Sequence, residues 1–425
     1  MSADRINLRH LRAFQAVHDH GSITAGADVA HLSQPAITQA IAKLERVVGV
    51  TLFDRGRSGM VPTVGGAVFA RRTHRALSLL RSGCLAAVQK DRSGKDARFD
   101  LAITSTQLRA LIAVVAHGNF SVAARAVGVA QPTLYRVARD LEQVSGLRLY
   151  EKSMAGITVT PAARALNRAS KLAFAELSQG LEEAVQSVGS GTATIVIGSL
   201  PLARTNLLPA AITQLTGIQP DVAIKVVDGP YADLLQALRE GEIDLMIGAL
   251  RDPLPADDVV QEHLFQDYLG VYCGPHHPLA RRPGVSVRDL AEYPWVVPRP
   301  GTPTRSFFDE FVDQARLGTH SALIETSSMV LIRGVLNGSD RLTMISHQQM
   351  REDVRLGILC PLPVALNDTG RPIGLTLRKT WSPTETQSRF LDLLRKAATD
   401  QAGPIRSLAE RRVEPGLPRS TQTGP

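Results

Sequence analysis

The sequence predicts a multi-domain chain: two small all-α units, each three helices and a β wing, then a two-lobed α/β domain. Three observations predict it. Residues 11–65 align without a gap to residues 108–162, and a long helical stretch with apolar residues at three- and four-residue steps follows each copy. From Ala193 onward, short apolar strands alternate with amphipathic helices. A length of 425 residues leaves room for two to four domains, each with its own core.

The repeat comes first. LRAFQAVHDHG (11–21) matches LRALIAVVAHG (108–118), and QPAITQAIAKLERVVGVTLFDR (34–55) matches QPTLYRVARDLEQVSGLRLYEK (131–152). Leu11/Leu108, Gly21/Gly118, Pro35/Pro132, Glu45/Glu142, Gly49/Gly146 and Thr63/Thr160 are identical pairs. In each copy an amphipathic first helix ends at Gly21 or Gly118. A short second helix follows, Thr24–Ala30 or Ser121–Val127, with Ser22 or Asn119 ahead of it to cap free N–H groups. The third helix opens at Gln34-Pro35 or Gln131-Pro132, where proline's missing N–H would be unpaired anyway. Ser33 stands at the N-cap of copy one. Copy two has Ala130 there, a change worth roughly 1 kcal/mol of helix stability.

The third helix buries Ile37, Ile41, Leu44 and Val48 in copy one, and Leu134, Ala138, Leu141 and Ser145 in copy two. The opposite face carries Ser33, Gln34, Pro35, Ala36, Thr38, Gln39, Lys43 and Arg46, or Gln131, Pro132, Thr133, Tyr135, Arg136 and Arg139. Amide, hydroxyl and guanidinium groups hydrogen-bond base edges and phosphates, and a helix fits the DNA major groove. Arg55 and Arg57, with Lys152 in copy two, sit at the wings, where a cation meets phosphate. A solvated polar face is the bland alternative for any one such helix. Charge supports the DNA reading: residues 1–190 hold 24 Lys+Arg against 14 Asp+Glu, whereas 191–425 hold 24 against 26.

GSITAGADVAHLSQPAITQAIAKLERVVGVTLFDR (21–55) and GNFSVAARAVGVAQPTLYRVARDLEQVSGLRLYEK (118–152), with ITVTPAA (157–163), resemble the LysR-type transcriptional regulators. The S/A-Q-P, L-E-x-x-x-G and L-[FY]-[DE]-[RK] elements carry the likeness. The resemblance implies winged helix-turn-helix domains, a linker helix that pairs two chains, and a periplasmic-binding-protein-like effector domain. It also implies double-stranded operator DNA, a small-molecule effector and RNA polymerase as partners, in a homodimer or homotetramer. The family ordinarily has one reading head; this chain has two. Copy one also departs at Gly26 and Ala30, where a small helix former and Leu are usual, so its second helix is expected to pack less tightly.

The expected boundaries are 1–64 for the first winged helix-turn-helix, 65–100 for a linker helix and connector, and 101–160 for the second head. Residues 161–190 form a dimerisation linker helix, 191–400 the effector domain and 401–425 a disordered tail rich in Pro, Gly, Ser, Thr and Arg. The alternative for the first linker is a lone helix folded back on its own head. In the effector domain, strands at 193–200, 222–229 and 243–250 alternate with helices and predict a parallel sheet. A second set follows, with strands at 268–273, 294–298 and 322–326 and helices at 305–317 and 329–337. The chain then returns to the first lobe through ILCPLPV (358–364), IGLTLRK (373–379) and a closing helix at 384–398.

Polar residues at strand ends and helix starts are the cleft candidates, because free N–H groups there favour anions. They are Ser199, Arg204, Thr302, Thr304, Arg305, Ser327 and Ser328. Ordinary helix capping is the alternative for each. By resemblance the effector is a small organic or aromatic acid or a sugar derivative.

Other classes find no support. GxSxG, Walker, HExxH and dinucleotide fingerprints do not occur, so no catalytic residue, metal site or cofactor is expected. His276-His277 reads as a turn. A transport solute-binding protein would suit the C-terminal half but not the duplicated basic heads. No apolar run of 18 residues offers a membrane span, and the N-terminus does not read as a signal peptide. Cys84, Cys273 and Cys360 are isolated in sequence and read as free thiols of a reducing cytoplasm. The resemblance implies a bacterial cytoplasmic, nucleoid-associated protein.

Overall fold

The structure, a computed structural model, describes residues 6–56, 59–91, 97–153, 156–315, 323–366 and 369–401. Copy one comprises α1 (Leu8–His20), α2 (Ile23–Ala30), α3 (Gln34–Val48), a hairpin of β1 (Phe53–Gly56) and β2 (Gly59–Pro62), and the linker helix α4 (Val64–Asp91). Copy two repeats this as α5 (Ser105–His117), α6 (Phe120–Val127), α7 (Gln131–Ser145), β3 (Tyr150–Ser153), β4 (Gly156–Val159) and α8 (Pro161–Gln186). Both second helices start one residue earlier than predicted. Ser22 Oγ accepts from the Ala25 N–H at 3.5 Å, and Asn119 Oδ1 from Ser121 and Val122 at 2.8 and 3.2 Å. Gly21 and Gly118 end the first helices in the left-handed region, at φ 66° and 61°.

Gly26 acts opposite to expectation. A β-carbon there would stand 2.7 Å from Val17 Cγ2, so the missing side chain lets α2 approach α1 more closely. The connector end of the expected 65–100 segment is also partly structured: Ala97–Leu101 form a 3-10 turn and Phe99 is buried, while residues 92–96 lie outside the described residues.

The two heads and both linker helices share one continuous apolar core. Within it α4 and α8 run antiparallel: Gly65 lies against Ala184 and Ser187, Gly180 against Phe69 and Arg72, and Gly83 against Ala169. The helix that by resemblance pairs two chains thus pairs here with its own duplicate, because the repeat supplies the partner covalently. It is not a lone helix folded onto one head.

The C-terminal domain has two five-stranded sheets. Lobe one contains β5 (Thr194–Ser199), α9 (Leu207–Ile218), β6 (Ala223–Val227), α10 (Tyr231–Glu240), β7 (Leu245–Ala249) and β8 (Val259–Asp267). Lobe two contains β9 (Leu269–Cys273), β10 (Trp295–Val297), α11 (Pro303–Ala315), β11 (Ile324–Glu325), α12 (Met329–Asn337), β12 (Leu342–Ser346), α13 (His347–Arg355) and β13 (Cys360–Pro361). The chain returns to lobe one as β14 (Arg371–Arg378) and α14 (Glu385–Gln401).

The sheet of lobe one is ordered β6-β5-β7-β14-β8. Its β5 pairs parallel with β6 and β7, but β14 is antiparallel to β7 and β8, so the sheet is mixed rather than parallel. The return comes later than predicted, because Cys360–Pro361 pairs with β9 inside lobe two. That pairing sets Cys360 opposite Cys273, whose thiol burial pushes up to about 12. The tail beyond residue 401 lies outside the described residues.

Candidate nucleic-acid interface and effector cleft

The reading face of each head is held by contacts that the shared motif explains. Glu45 Oε1 accepts from the Leu52 N–H at 2.8 Å, and Glu142 Oε1 from the Leu149 and Tyr150 N–H groups at 2.8 and 3.2 Å. The repeated glutamate therefore ties the third helix to the first wing strand. Thr63 and Thr160 donate to the Thr51 and Arg148 carbonyls and accept from the first turns of α4 and α8, joining wing to linker helix.

On α3, Ser33 caps through the Ala36 N–H at 3.4 Å, and Gln34, Pro35, Gln39, Lys43 and Arg46 are exposed. Thr38 is half-buried and its hydroxyl donates back to the Gln34 carbonyl at 3.1 Å. On α7, Gln131, Pro132, Thr133, Tyr135 and Arg136 are exposed. Three side chains of copy two are braced by their own head. The Ser121 hydroxyl donates to Gln131 Oε1 at 2.8 Å, the Tyr135 ring meets Phe120 edge-on, and Arg139 donates to the Tyr135 hydroxyl at 3.1 Å while pairing with Glu142. Ala130 offers no side-chain cap. At the wings, Arg55 and Lys152 lie on β1 and β3, but their side chains, and all of Arg57, fall outside the described residues.

A charged network that sequence reasoning missed joins the helix pair to the C-terminal domain. Arg72, 4% exposed, donates to Glu183 at 2.7 and 3.0 Å, to Glu176 at 2.9 Å and to the Ser382 carbonyl at 2.8 Å. Arg75 donates to both Glu176 oxygens at 3.1 Å and to the Thr380 carbonyl at 2.5 Å. Burial opposes the Arg72 charge, but the two carboxylates more than offset it, and its pKa is raised. Further contacts tie α8 to lobe one: Lys171 meets Glu240 and Glu242 at 2.5 and 2.6 Å, Arg168 pairs with Asp258, and Gln179 donates to Asp244 at 3.2 Å. No periodicity signals such partners, which lie about a hundred or more residues apart in several cases.

The structure brings some cleft candidates together and separates others. Thr302, Thr304 and Arg305 share the start of α11, and Ser327 and Ser328 precede α12, which Ser328 caps at 3.4 Å. Arg305 is not a free anion donor: it pairs with Asp309 at 2.7 Å and Glu325 at 2.6 Å. Thr304 instead accepts from Arg371, which pairs with the fully buried Asp267, itself accepting from the Ser346 hydroxyl at 2.7 Å. These groups lie where β8 and β14 cross between lobes. Beside them Tyr272 Oη and His347 Nδ1 are 2.5 Å apart. Ser199 is buried at the end of β5 and donates to the Leu200 carbonyl at 3.3 Å, and Arg204 pairs with Asp228 at 3.3 Å. Between lobes, Asn206 donates to the Gln348 carbonyl at 2.8 Å. His277 caps the Leu279 N–H at 3.0 Å, as a turn residue does.

Among the described residues no cluster of three or more His, Cys, Asp and Glu side chains is placed to hold a metal, and no helix is long and apolar enough to cross a membrane.

Two family models match the chain, one for its heads and one for its C-terminal domain. The family described as bacterial regulatory helix-turn-helix protein, lysR family, matches twice, at residues 8–67 and 105–164, and the LysR substrate binding domain matches residues 189–399. The chain is similar to the HTH-type transcriptional regulator GalR of Pseudomonas putida, 29% identical over 396 residues, covering 93% of this chain and 98% of that protein. That likeness therefore runs through both heads. It is also similar to the uncharacterized HTH-type transcriptional regulator YdcI of Escherichia coli, 30% identical over 285 residues, 67% of this chain and 92% of that one. Among solved structures, CbnR, a LysR family transcriptional regulator, is 17% identical with a TM-score of 0.48 over 69% of this chain and 98% of that chain.

Proposed function

The chain belongs to the LysR family of bacterial transcriptional regulators, and from that premise we propose that both of its third helices, α3 and α7, read operator DNA. It is a DNA-binding regulator whose operator binding an effector modulates, not an enzyme. Retention of the complete head in both copies supports two working readers: capped or proline-started third helix, glutamate-anchored wing and exposed polar face. The base-reading groups are Gln34, Thr38 and Gln39 in copy one and Gln131, Thr133, Tyr135 and Arg136 in copy two, with Lys43, Arg46, Arg55, Arg57, Arg139 and Lys152 toward phosphates. The protein works in the cytoplasm, on the nucleoid.

The effector in this reading is a small anion between the lobes, met by Ser199 and by the starts of α11 and α12 at Thr302, Thr304, Ser327 and Ser328. The paired Arg305 and Arg204 would shape the mouth of the site. Footprinting of chromatin-recovered fragments tests the heads: Gln34→Ala with Thr38→Ala, and separately Gln131→Ala with Arg136→Ala, should each remove protection from one segment. An unchanged footprint makes that copy structural. Calorimetry of the full chain against a panel of organic acids tests the cleft, with Ser199→Leu expected to abolish the heat. If every acid gives no heat, the cleft assignment is wrong.

A further inference from the structure

The contacts between α4 and α8 have a symmetry that a chance helix pair lacks. The two copies are offset by 97 residues, the step from Leu11 to Leu108, so the counterpart of Gly83 is Gly180 and the counterpart of Arg72 is Ala169. Gly83 packs on Ala169, and Gly180 packs on Arg72. The second contact is the first with the copies exchanged. That is an isologous interface, the kind two identical subunits make about a two-fold axis, but formed here by two segments of one chain.

The heads are fixed to this pair rather than tethered to it. Both draw on the same core as α4 and α8. They also touch near the pseudo-axis, where the Ser105 hydroxyl donates to the Ile6 carbonyl at 2.6 Å and Arg12 donates to the Leu101 carbonyl at 3.2 Å. With α4 spanning 28 residues, the antiparallel arrangement sets the starts of the two linker helices roughly 40 Å apart, at about 1.5 Å per residue. Half-sites one DNA turn apart are separated by roughly 34–36 Å.

The two readers, however, are not alike. Where α3 presents Ala36, Thr38, Gln39 and Lys43, α7 presents Thr133, Tyr135, Arg136 and Asp140. Two-fold placement of unlike readers suits an inverted arrangement of unlike words.

We infer that a single chain occupies both half-sites of an operator, and that those half-sites carry different base sequences in a fixed order. This rests on the proposed DNA reading by both heads. One chain then does what a homodimer does on a palindrome, and any oligomer it forms must use a surface other than the faces that α4 and α8 spend on each other.

The test is selection of the full chain on duplexes with a randomised core, followed by native mass measurement of the chain bound to the enriched duplex. Two unlike words about one turn apart are expected, with two words per chain. Gln34→Ala with Thr38→Ala should randomise one word, and Gln131→Ala with Arg136→Ala the other. A palindrome of one word, with two words per chain, overturns the inference while leaving reading by both heads intact; one word per chain overturns reading by both heads, and the inference with it. Failure to enrich any duplex overturns the DNA reading, and the inference with it.

Discussion

Gly83 of α4 meets Ala169 of α8 so closely that a β-carbon on the glycine would stand 2.1 Å from the alanine β-carbon. A mid-helix glycine ordinarily costs about 0.5–1 kcal/mol relative to alanine, so it persists where close approach outweighs that cost. Gly334 in α12 has open space around its missing β-carbon. Gly83→Ala should therefore destabilise the chain by about 1–3 kcal/mol through overpacking, while Gly334→Ala stabilises it by up to about 1 kcal/mol. Urea unfolding of the two variants checks the opposite signs. A gain at Gly83 would mean the helices are not in this contact.

Removing Arg72 takes the guanidinium from the half-buried Glu183 and one of two guanidinium partners from Glu176, which Arg75 still holds. Breaking a buried pair from one side costs about 3–5 kcal/mol, because the orphaned charge stays desolvated. Arg72→Met should lower stability by that order, and pairing it with Glu183→Gln should recover part of the loss. The same change removes a hydrogen bond to the Ser382 carbonyl, so hydrogen exchange should quicken around residues 379–383. Exchange that stays unchanged there would show that the C-terminal domain does not lean on the helix pair.

Most of the architecture was legible in the sequence, for a local reason. The duplicated heads announce themselves through Gln-Pro starts, glycine stops and a 3.6-residue apolar stripe, and these are short-range signals. Strands β5 to β7 and their helices were equally plain. What stayed hidden is long-range. The pairing of α4 with α8 needs the register of two segments about a hundred residues apart, and glycine spacing alone does not give it. The antiparallel insertion of β14, and Cys360–Pro361 in lobe two rather than lobe one, depend on which sheet a short apolar run joins, and periodicity does not say. Arg305 has a local partner four residues on, Asp309, that the helix pattern shows; its second partner, Glu325, is 20 residues away, and no local pattern shows it.

Lys43 and Arg46 are exposed cations beside the reading face of α3. If they meet phosphates, each contributes counterion release and no base preference. Lys43→Ala should weaken selected and random duplexes by the same factor and reduce the slope of log affinity against log salt by about one unit. Mobility shifts over a salt series measure both. A loss confined to the selected duplex would assign Lys43 to base reading instead.

His347 lies between Tyr272 and the crossover carboxylate Asp267, and burial lowers its pKa against the partial opposition of Asp267. His10 and His277 are shifted in the same direction, also chiefly by burial. A folded-state value below the unfolded value of about 6.5 means the unfolded chain binds the extra proton first. The contribution is therefore full above about pH 6.5 and is lost as pH falls through the folded-state value. The melting temperature should drop on acidification from pH 7.5 to 5.5, and His347→Gln should flatten part of that drop. A steeper fall in the variant would reverse the sign of the argument.

Ala130 precedes α7 at φ −67° and ψ 141°, close to the φ −71° and ψ 152° of Ser33, which caps α3. The backbone torsions of copy two are thus already those that a capping side chain requires, although the Thr133 N–H now donates to the Ala130 carbonyl at 3.0 Å and would share its hydrogen with the new oxygen. A serine hydroxyl at this position would accept from the N–H of Thr133, as Ser33 does from Ala36 in the counterpart helix. Ala130→Ser should stabilise the chain by about 0.5–2 kcal/mol without strain, since no backbone torsion has to change. The mirror change, Ser33→Ala, should cost a similar amount in copy one. Thermal unfolding of the two single variants and of the double variant separates the outcomes. Near-cancellation in the double variant is expected, because the two caps lie at the starts of different helices in different heads and share no hydrogen-bond partner. A stability loss in Ala130→Ser would mean that α7 begins in a different geometry from α3, and that the second head is not a faithful copy of the first at its reading helix.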